Sequence, residues 1–242
     1  MNDFNLQEEK GFSLKHFSTD LTYAKTQLEL SKLNIETDNS KIADYVKIDF
    51  PSFNAFKDSI GTVEANLNLP NTTISLKDIV AFKPDLLAGS HLNINETTKI
   101  HLNCKIDGPI DDLMISKLQI KTLEKTVIDL KGTIKDITDP KSLYANIRLE
   151  NFETGKTDIE NIFSGNSIPE NISIPASIQT HGKFKGYISK FDAEANLRTS
   201  IGDVAAKIQM DTPSIDTTYN AEVAFTNFDL GKLLKDTALL LS

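Results

Sequence analysis

The chain has 242 residues, with 26 Lys and Arg against 34 Asp and Glu, which gives a formal net charge of −8. Hydrophobic residues make up 39% of the sequence and charged residues 25%, a composition close to that of ordinary soluble domains. A chain of this size buries about 70% of its unfolded surface, so a packed core needs no disulfide staples. These values exclude collagen, a disulfide scaffold and a disordered chain. No apolar run approaches the ~18 residues that span a bilayer.

The two ends of the sequence indicate an internal piece of a longer protein. Residues 1–10 are polar and acidic, without the basic and apolar regions of a signal peptide. Residues 239–242 stop where a helix is predicted to be running. Basic residues are interleaved with acidic ones, whereas a nucleic-acid site needs them clustered on one face. We therefore expect no nucleic-acid partner.

Alternation of apolar and polar residues with a period of two dominates the chain. Leu67 and Leu69, for example, alternate with Asn66 and Asn68. This pattern predicts strands with one apolar and one solvated face, which belong to antiparallel sheets. We expect about a dozen or more strands, spaced roughly 10–15 residues apart, and an all-β fold.

Helical periodicity is confined to three short segments, 76–83, 157–163 and 229–237. In the first, Ser75 is placed to cap the helix, Asp78 occupies the third helical position, and a proline follows at position 84. The other two segments each place three apolar residues on one stripe. The sequence therefore predicts three short helices within a β fold.

The single cysteine, Cys104, shares strand parity with Leu102 and Ile106, which predicts a buried apolar position. A nucleophilic cysteine needs an activating partner, and His101 has the opposite parity. The four histidines have no metal-ligand spacing: His16, His91, His101 and His181. We expect no catalytic site, no metal site and no cofactor, and hence a protein that is not an enzyme.

The chain also contains a loose internal repeat. Segments 144–156 and 219–232 are both alternating strands that run into Asn-Phe, an acidic residue and Gly-Lys before a predicted helix. Matching Val63, Ala145 and Ala221 gives a loose period of roughly 80 residues. We interpret the chain as one elongated segment of three modules, 1–83, 84–164 and 165–242; the alternative is coincidental similarity.

Three short helices cannot cover the apolar face of so many strands. Either a second sheet closes over it as a sandwich with a dry core, or the sheet curls into an open, taco-like groove that calls for a ligand. Periodicity leaves both forms open. In the groove form, the apolar positions of three strands become candidates for lining a lipid site: Val63, Ala65, Leu67, Leu69, Leu143, Ala145, Ile147, Leu149, Ala221, Val223 and Phe225.

Several segments resemble the AsmA-like superfamily, most closely its TamB-type translocation and assembly proteins of Bacteroides-like bacteria. The resemblance is carried by strand and turn patterns in segments 12–15, 28–37, 73–79, 174–178 and 227–232. It implies a long curled sheet with an apolar interior, inside a periplasmic protein that is anchored in the inner membrane and pairs with an Omp85-class outer-membrane barrel.

The resemblance further implies a function in envelope biogenesis. The groove would carry phospholipid, or another ligand with acyl chains, between the inner and outer membranes, or would aid assembly of outer-membrane proteins. The alternative is a non-enzymatic scaffold that binds client strands or partner proteins without carrying lipid.

Overall fold

Segments with alternating apolar and polar residues form strands in the computed structural model, which describes residues 6–7, 13–82, 95–163, 168–212 and 218–236. The strands form one thirteen-stranded sheet in which each strand pairs with the next along the chain. All pairs are antiparallel. The predicted all-β, antiparallel fold is confirmed. The first and last strands do not pair with each other, so the described sheet is open and no second sheet closes over it.

The strands are numbered in chain order: β1 (Leu6–Gln7), β2 (Ser13–Ala24), β3 (Gln27–Thr37), β4 (Lys41–Asp49), β5 (Glu64–Ser75), β6 (Lys99–Pro109), β7 (Asp112–Thr122), β8 (Thr126–Lys135), β9 (Tyr144–Gly155), β10 (Ser177–Tyr187), β11 (Lys190–Thr199), β12 (Gly202–Asp211) and β13 (Thr218–Thr226). The helices are α1 (Ala55–Asp58), α2 (Leu76–Phe82), α3 (Lys156–Ile162) and α4 (Leu230–Leu234).

The three predicted helices correspond to α2, α3 and α4, with small differences at their ends. The third prediction, 229–237, was too long, because α4 ends at Leu234 and is followed by Lys235 in the left-handed conformation; position 83 and position 237 lie outside the described residues. The expectation of only three helices was wrong, since α1 is a fourth. A single helical turn is too short to show a helical period, so it left no signal in the sequence.

Helices α2, α3 and α4 each follow a group of four strands. The groups are β2–β5, β6–β9 and β10–β13. They begin at Leu76, Lys156 and Leu230, so they recur at intervals close to the loose period of the sequence. Each helix lies at the same end of the sheet, beside the turn between the second and third strands of its group. Hydrogen bonds fix each of the three helices to that turn.

A buried aspartate joins α2 to the turn between β3 and β4. Asp78 accepts hydrogen bonds from the hydroxyls of Thr37 and Ser40, both at 2.5 Å. The Ser40 hydroxyl oxygen in turn accepts a bond from the backbone N–H of Ser75, at 2.9 Å. These contacts satisfy polar groups that would otherwise be buried without partners.

Asp158 joins α3 to the turn between β7 and β8 in the same way. Its carboxylate accepts bonds from the hydroxyl of Thr126 at 2.7 Å and from the backbone N–H groups of Lys125 and Glu124 at 2.9 and 3.1 Å. Burial acts to raise the pKa of Asp158, but these hydrogen bonds outweigh it and hold the pKa below the ordinary carboxyl value.

Helix α4 is connected to its neighbouring turn by different hydrogen bonds. Asp229 precedes α4 and caps it by accepting a bond from the backbone N–H of Lys232 at 2.8 Å. The backbone N–H of Asp229 donates to the carbonyl oxygen of Ile201, in the turn between β11 and β12, at 2.7 Å. Every helix after a fourth strand is therefore fixed to the adjacent hairpin turn.

The opposite end of the sheet carries α1 and a small apolar cluster. Phe50, Ala55 and Val63 form its buried centre, and Leu28 and Ile48 of the sheet pack against it. Two further rings surround Phe50: those of Phe53 and Phe56, each with its centroid 5.1 Å away. This cluster covers one corner of the apolar face, over β3, β4 and β5.

Candidate functional site

The apolar side chains line up across the sheet in continuous rows. Partners in neighbouring antiparallel strands project from the same face, so the pairing register can be followed from β2 to β13. The central row takes one residue from each of these strands, and all are apolar apart from one glycine: Leu21, Leu30, Val46, Leu67, Ile106, Ile115, Gly132, Ile147, Phe184, Ala193, Ile208 and Ala221.

Three further rows run beside the central one through the later strands. One holds Leu69, Cys104, Leu118, Leu130, Leu149, Gly182, Ala195, Ala206 and Val223. The next holds Leu102, Ile120, Ile128, Phe152, Thr180, Leu197, Val204 and Phe225. The row on the other side holds Leu113, Ile134, Ala145, Gly186, Phe191, Met210 and Tyr219.

The dimensions of this face suit long apolar ligands. At ~4.8 Å per strand the central row extends over roughly 50–55 Å and the other three rows over roughly 30–40 Å, and where the four rows run side by side at ~6.8 Å spacing they are about 20 Å wide. One leaflet of a bilayer has a hydrocarbon thickness of about 15 Å. Several acyl chains therefore fit side by side on the face.

Nine of the candidate groove residues lie within strands on this face. Leu67, Ile147 and Ala221 share the central row, and a neighbouring row contains three more candidates, Leu69, Leu149 and Val223. The repeat inferred from the sequence instead matched Val63 with Ala145 and Ala221. Relative to Ala145, this match displaces Val63 and Ala221 by two residues each from the observed pairing register. The difference is one side-chain period, which an alternating pattern alone cannot detect.

The two remaining candidates lie just before strands. Val63 precedes β5 and is buried in the cluster around Phe50, so its side chain presents no surface to a ligand. Leu143 precedes β9 and is half-buried. Both residues continue the apolar alternation of the strand that follows, so the sequence pattern did not show where each strand begins.

Exposure divides the candidates into three groups: buried residues, exposed residues and four half-buried ones, which are Leu67, Leu143, Ile147 and Leu149. In β5, Ala65 and Leu69 are buried, with Leu69 only 9% exposed. In β13, by contrast, Val223 is 48% and Phe225 61% exposed. Ala221 is exposed as well. The accessible part of the candidate site is therefore the apolar face of the last strands.

Other exposed residues on the same face were not among the candidates. Tyr219 is 79% exposed and has the parity of Ala221, and Ile208 lies opposite Ala221 on β12. Leu21 and Tyr23 on β2 are also exposed. The period-two pattern contained the signal for these positions, but the repeat on which the candidates were chosen did not include them.

The other face of the sheet is polar and carries cross-strand charges. Ion pairs join Lys131 to Glu150 at 2.6 Å and Lys183 to Glu194 at 3.7 Å. All of these side chains are largely solvated, where single ion pairs contribute about 0–1 kcal/mol. The difference between the two faces follows directly from the alternation in the sequence.

A cleft of about 520 Å³ lies among β9 to β13 at the end of the sheet opposite α3 and α4. Its lining includes the rings of Tyr144 and Tyr187, whose centroids are 5.2 Å apart. Lys190 and Asp211 also line it and form an ion pair at 2.7 Å. The lining mixes aromatic, aliphatic and charged side chains at the strand ends.

Cys104 lies within the apolar rows, between Leu69 and Leu118 on the neighbouring strands. It is 2% exposed. Burial raises the pKa of its thiol, and a backbone hydrogen bond involving Leu69 opposes that effect only in part. The prediction of a buried structural cysteine agrees with this environment, which disfavours the reactive thiolate.

Within the described ranges, no group of three His, Cys, Asp or Glu side chains is arranged to hold a metal ion. In that same part of the chain, no helix combines the length and apolarity needed to cross a membrane. Comparison of the sequence and fold with protein-family models, curated proteins and solved structures found no significant match. The resemblance to the AsmA-like superfamily therefore stays an interpretation of the residues that carry it.

Proposed function

We propose that this chain is a segment of an envelope-biogenesis protein whose apolar β face carries phospholipid between the inner and outer membranes. The observation that supports this most is the set of continuous apolar rows, which stay accessible at β13. Exposed apolar areas of this kind on proteins usually mark a binding site for a ligand or partner.

The chemistry of the rows favours acyl chains over ligands with many polar groups. The rows contain mainly aliphatic and aromatic side chains, and the sequence contains no tryptophan. Because the rows cross from strand to strand without a polar break wider than one position, an acyl chain can move across the accessible last strands while staying in contact with apolar surface. Such a surface suits conduction of lipid better than tight binding at one point.

The proposal includes a cellular setting that follows from the resemblance. The full protein would be anchored in the inner membrane, extend through the periplasm and pair with an Omp85-class barrel in the outer membrane. In this setting the segment needs no catalytic residue or cofactor. Aid to outer-membrane protein assembly is a related role for the same setting.

Lipid extraction of the purified chain, followed by mass spectrometry, tests the proposal. We expect phospholipid in near-stoichiometric amount. Val223→Arg places a charge among the exposed rows and should reduce the bound lipid several-fold. Ala224→Arg makes the same change at the adjacent residue of β13, which projects from the opposite face, and should leave the lipid content unchanged.

Two results would contradict the proposal. One is a folded, purified chain that carries no phospholipid and takes up none from vesicles. The other is an equal loss of lipid in both arginine variants, because that would show that the apolar face has no special part in binding.

A further inference from the structure

Five basic side chains stand side by side on the polar face of the sheet, one on each strand from β6 to β10. We call them the basic row, and all of them are exposed: Lys105, Lys117, Lys131, Arg148 and Lys183. Lys105 lies directly opposite Lys117, and Arg148 lies directly opposite both Lys131 and Lys183. A bulge in β7 sets Lys117 beside Lys131. Each member of the basic row therefore has a cation as its neighbour across the strands.

The charges on the next strands follow a different rule. Lys183 lies opposite Glu194, Glu194 lies opposite Lys207, and Lys207 lies opposite Glu222, so that the sign alternates from β10 to β13. Opposite charges across antiparallel strands stabilise pairing, and like charges destabilise it. Strand pairing thus favours the alternation, whereas it disfavours the basic row, which belongs to a chain whose net charge is −8.

Nearby carboxylates neutralise the basic row only in part. Lys131 pairs with Glu150 at 2.6 Å, and Lys183 pairs with Glu194 at 3.7 Å. A hydrogen bond from Lys131 holds the pKa of Glu150 below the ordinary carboxyl value, and the charge of Arg148 acts in the same direction. Within the ranges that the structure describes, three members of the row form no ion pair: Lys105, Lys117 and Arg148. The row therefore keeps an excess of positive charge.

The positive charge forms a line rather than a broad patch. Five strands at ~4.8 Å spacing extend the basic row over about 19 Å. On β7 and β8, the positions of the same face on one side of the row hold Gln119 and Asp129, and those on the other side hold Met114 and Thr133. A partner that matches this surface is therefore long, narrow and negatively charged.

We propose that the basic row binds an acidic segment of a partner protein, which lies across strands β6 to β10 with its carboxylates against the five cations. An extended segment of six or seven residues spans about 19 Å, since each residue adds ~3.3 Å. Its carboxylates would offset the repulsion among the cations, and complementary charge supplies selectivity. The surface lies on the face opposite the apolar rows, so the proposal is independent of lipid binding.

A bilayer that contains anionic lipids matches the basic row less well. Its surface is flat and would meet the exposed carboxylates of Glu150 and Glu194 together with the cations. Like charges placed against each other at an interface are unfavourable. A narrow acidic segment can follow the row without covering its flanks.

A second copy of this chain also matches the basic row less well. Acidic residues of its first strands are already held in ion pairs, as Asp20 is by Lys32 and Glu36 by Lys41. The acidic residues of β11 to β13 in the same line alternate with lysine. Neither region presents a continuous line of carboxylates.

A fluorescent peptide of seven glutamates with blocked ends provides the probe, and a peptide of seven glutamines is its control. We expect the whole chain to bind the glutamate peptide, more weakly as salt is added, and not to bind the glutamine peptide. A carbodiimide joins carboxylates directly to lysine amines and so locates the bound peptide. Mass spectrometry should find the peptide joined to the lysines of the basic row: Lys105, Lys117, Lys131 and Lys183.

Two variants with the same change in net charge separate the basic row from the charge of the whole protein. Arg148→Gln removes the cation between Lys131 and Lys183, and it should weaken peptide binding about three- to fivefold. Lys207→Gln removes an exposed cation in the alternating part of the same line and should leave the affinity unchanged. Circular dichroism of each variant verifies that the sheet is intact.

Thermal unfolding at low salt distinguishes a binding role from a structural one. Arg148→Gln removes two contacts between like charges and should raise the midpoint by about 1–2 °C. Lys207→Gln removes two contacts between opposite charges and should lower it by a similar amount. A cation that favours binding but disfavours folding is the result that the proposal requires.

Four outcomes would overturn the proposal. The first is a folded chain that does not bind the glutamate peptide. The second is equal weakening of binding by the two variants, because net charge alone would then explain it. The third is tighter binding, dependent on Arg148, to phosphatidylglycerol vesicles or to an oligonucleotide of seven phosphates. The fourth is a dimer, detected by light scattering, that Arg148→Gln dissociates.

Discussion

Leu69 and Val223 occupy the same row of the apolar face, yet one is buried and the other is about half exposed. Leu69 lies on β5, which has paired strands on both sides, at the part of the sheet near α2. Val223 lies on β13, which has a paired strand on one side among the described residues. The comparison shows that alternation decides which face a side chain joins, whereas position in the sheet decides whether a ligand can reach it.

The largest expected difference comes from placing an arginine at each of these two positions. Leu69→Arg buries a charge without a partner, which costs several kcal/mol against a total stability of about 5–15 kcal/mol. Val223→Arg leaves the guanidinium in water and should change the stability by less than about 1 kcal/mol. Urea unfolding of both variants measures the difference. Equal losses of stability would show that the side chains at positions 69 and 223 are equally shielded from water.

The next prediction concerns the cluster that covers the corner of the face over β3 to β5. Phe50→Ala removes its central ring and should lower the free energy of unfolding by about 3 kcal/mol or more. Phe53→Ala truncates a more exposed ring of the same cluster and should cost about 1 kcal/mol or less. Thermal unfolding provides the measurement. If the two changes cost the same, the cluster is not organised around Phe50.

Acid titration tests the buried aspartate that fixes α3 to its neighbouring turn. Asp158→Asn keeps the shape but removes a charged acceptor, and we expect a loss of about 1–3 kcal/mol at pH 7. Because the folded pKa of Asp158 is depressed, its stabilising effect is complete above the unfolded value of about 3.9 and is lost as the pH falls through the folded pKa. The gap in stability between wild type and variant should therefore close below about pH 4. A gap that stays constant down to pH 2 would contradict this role.

The smallest expected effect on stability is at Cys104. Its burial and raised pKa predict slow reaction with a bulky thiol reagent in the native state and fast reaction after unfolding. Cys104→Ala, which leaves a small cavity, should cost only about 1 kcal/mol. The rate of labelling, followed with and without denaturant, provides the measurement. Rapid labelling of the native chain would show that this row is open at its centre as well as at β13.

Much of the sheet could be predicted from sequence because each strand has its own clear alternation. The parity of Leu67, Ile147 and Ala221 placed them on one face, and the short helical stripes identified α2, α3 and α4. Register was a different matter: the repeat inferred from the pattern alone was wrong by two positions, since shifting an alternating strand by two leaves its apolar face unchanged.

Exposure and long-range contacts could not be read from the same patterns. Val63 has the parity of the groove residues, but α1 and Phe50 enclose it, and a single helical turn leaves no period in the sequence. The hydrogen bonds of Asp158 to the turn at Thr126 join residues 32 positions apart. Such contacts depend on how the strands are arranged in space.

The central claim, that the open end of the apolar face binds acyl chains, is tested most directly by locating the chain of a bound phospholipid. A phospholipid with a photoreactive group near the end of one acyl chain can be bound to the purified protein and cross-linked by light, and the modified residues can be identified by mass spectrometry. The account predicts cross-links to Tyr219, Val223 and Phe225. Cross-links concentrated on the opposite face, at Glu222 and Ala224, or a folded protein that gives none, would contradict it.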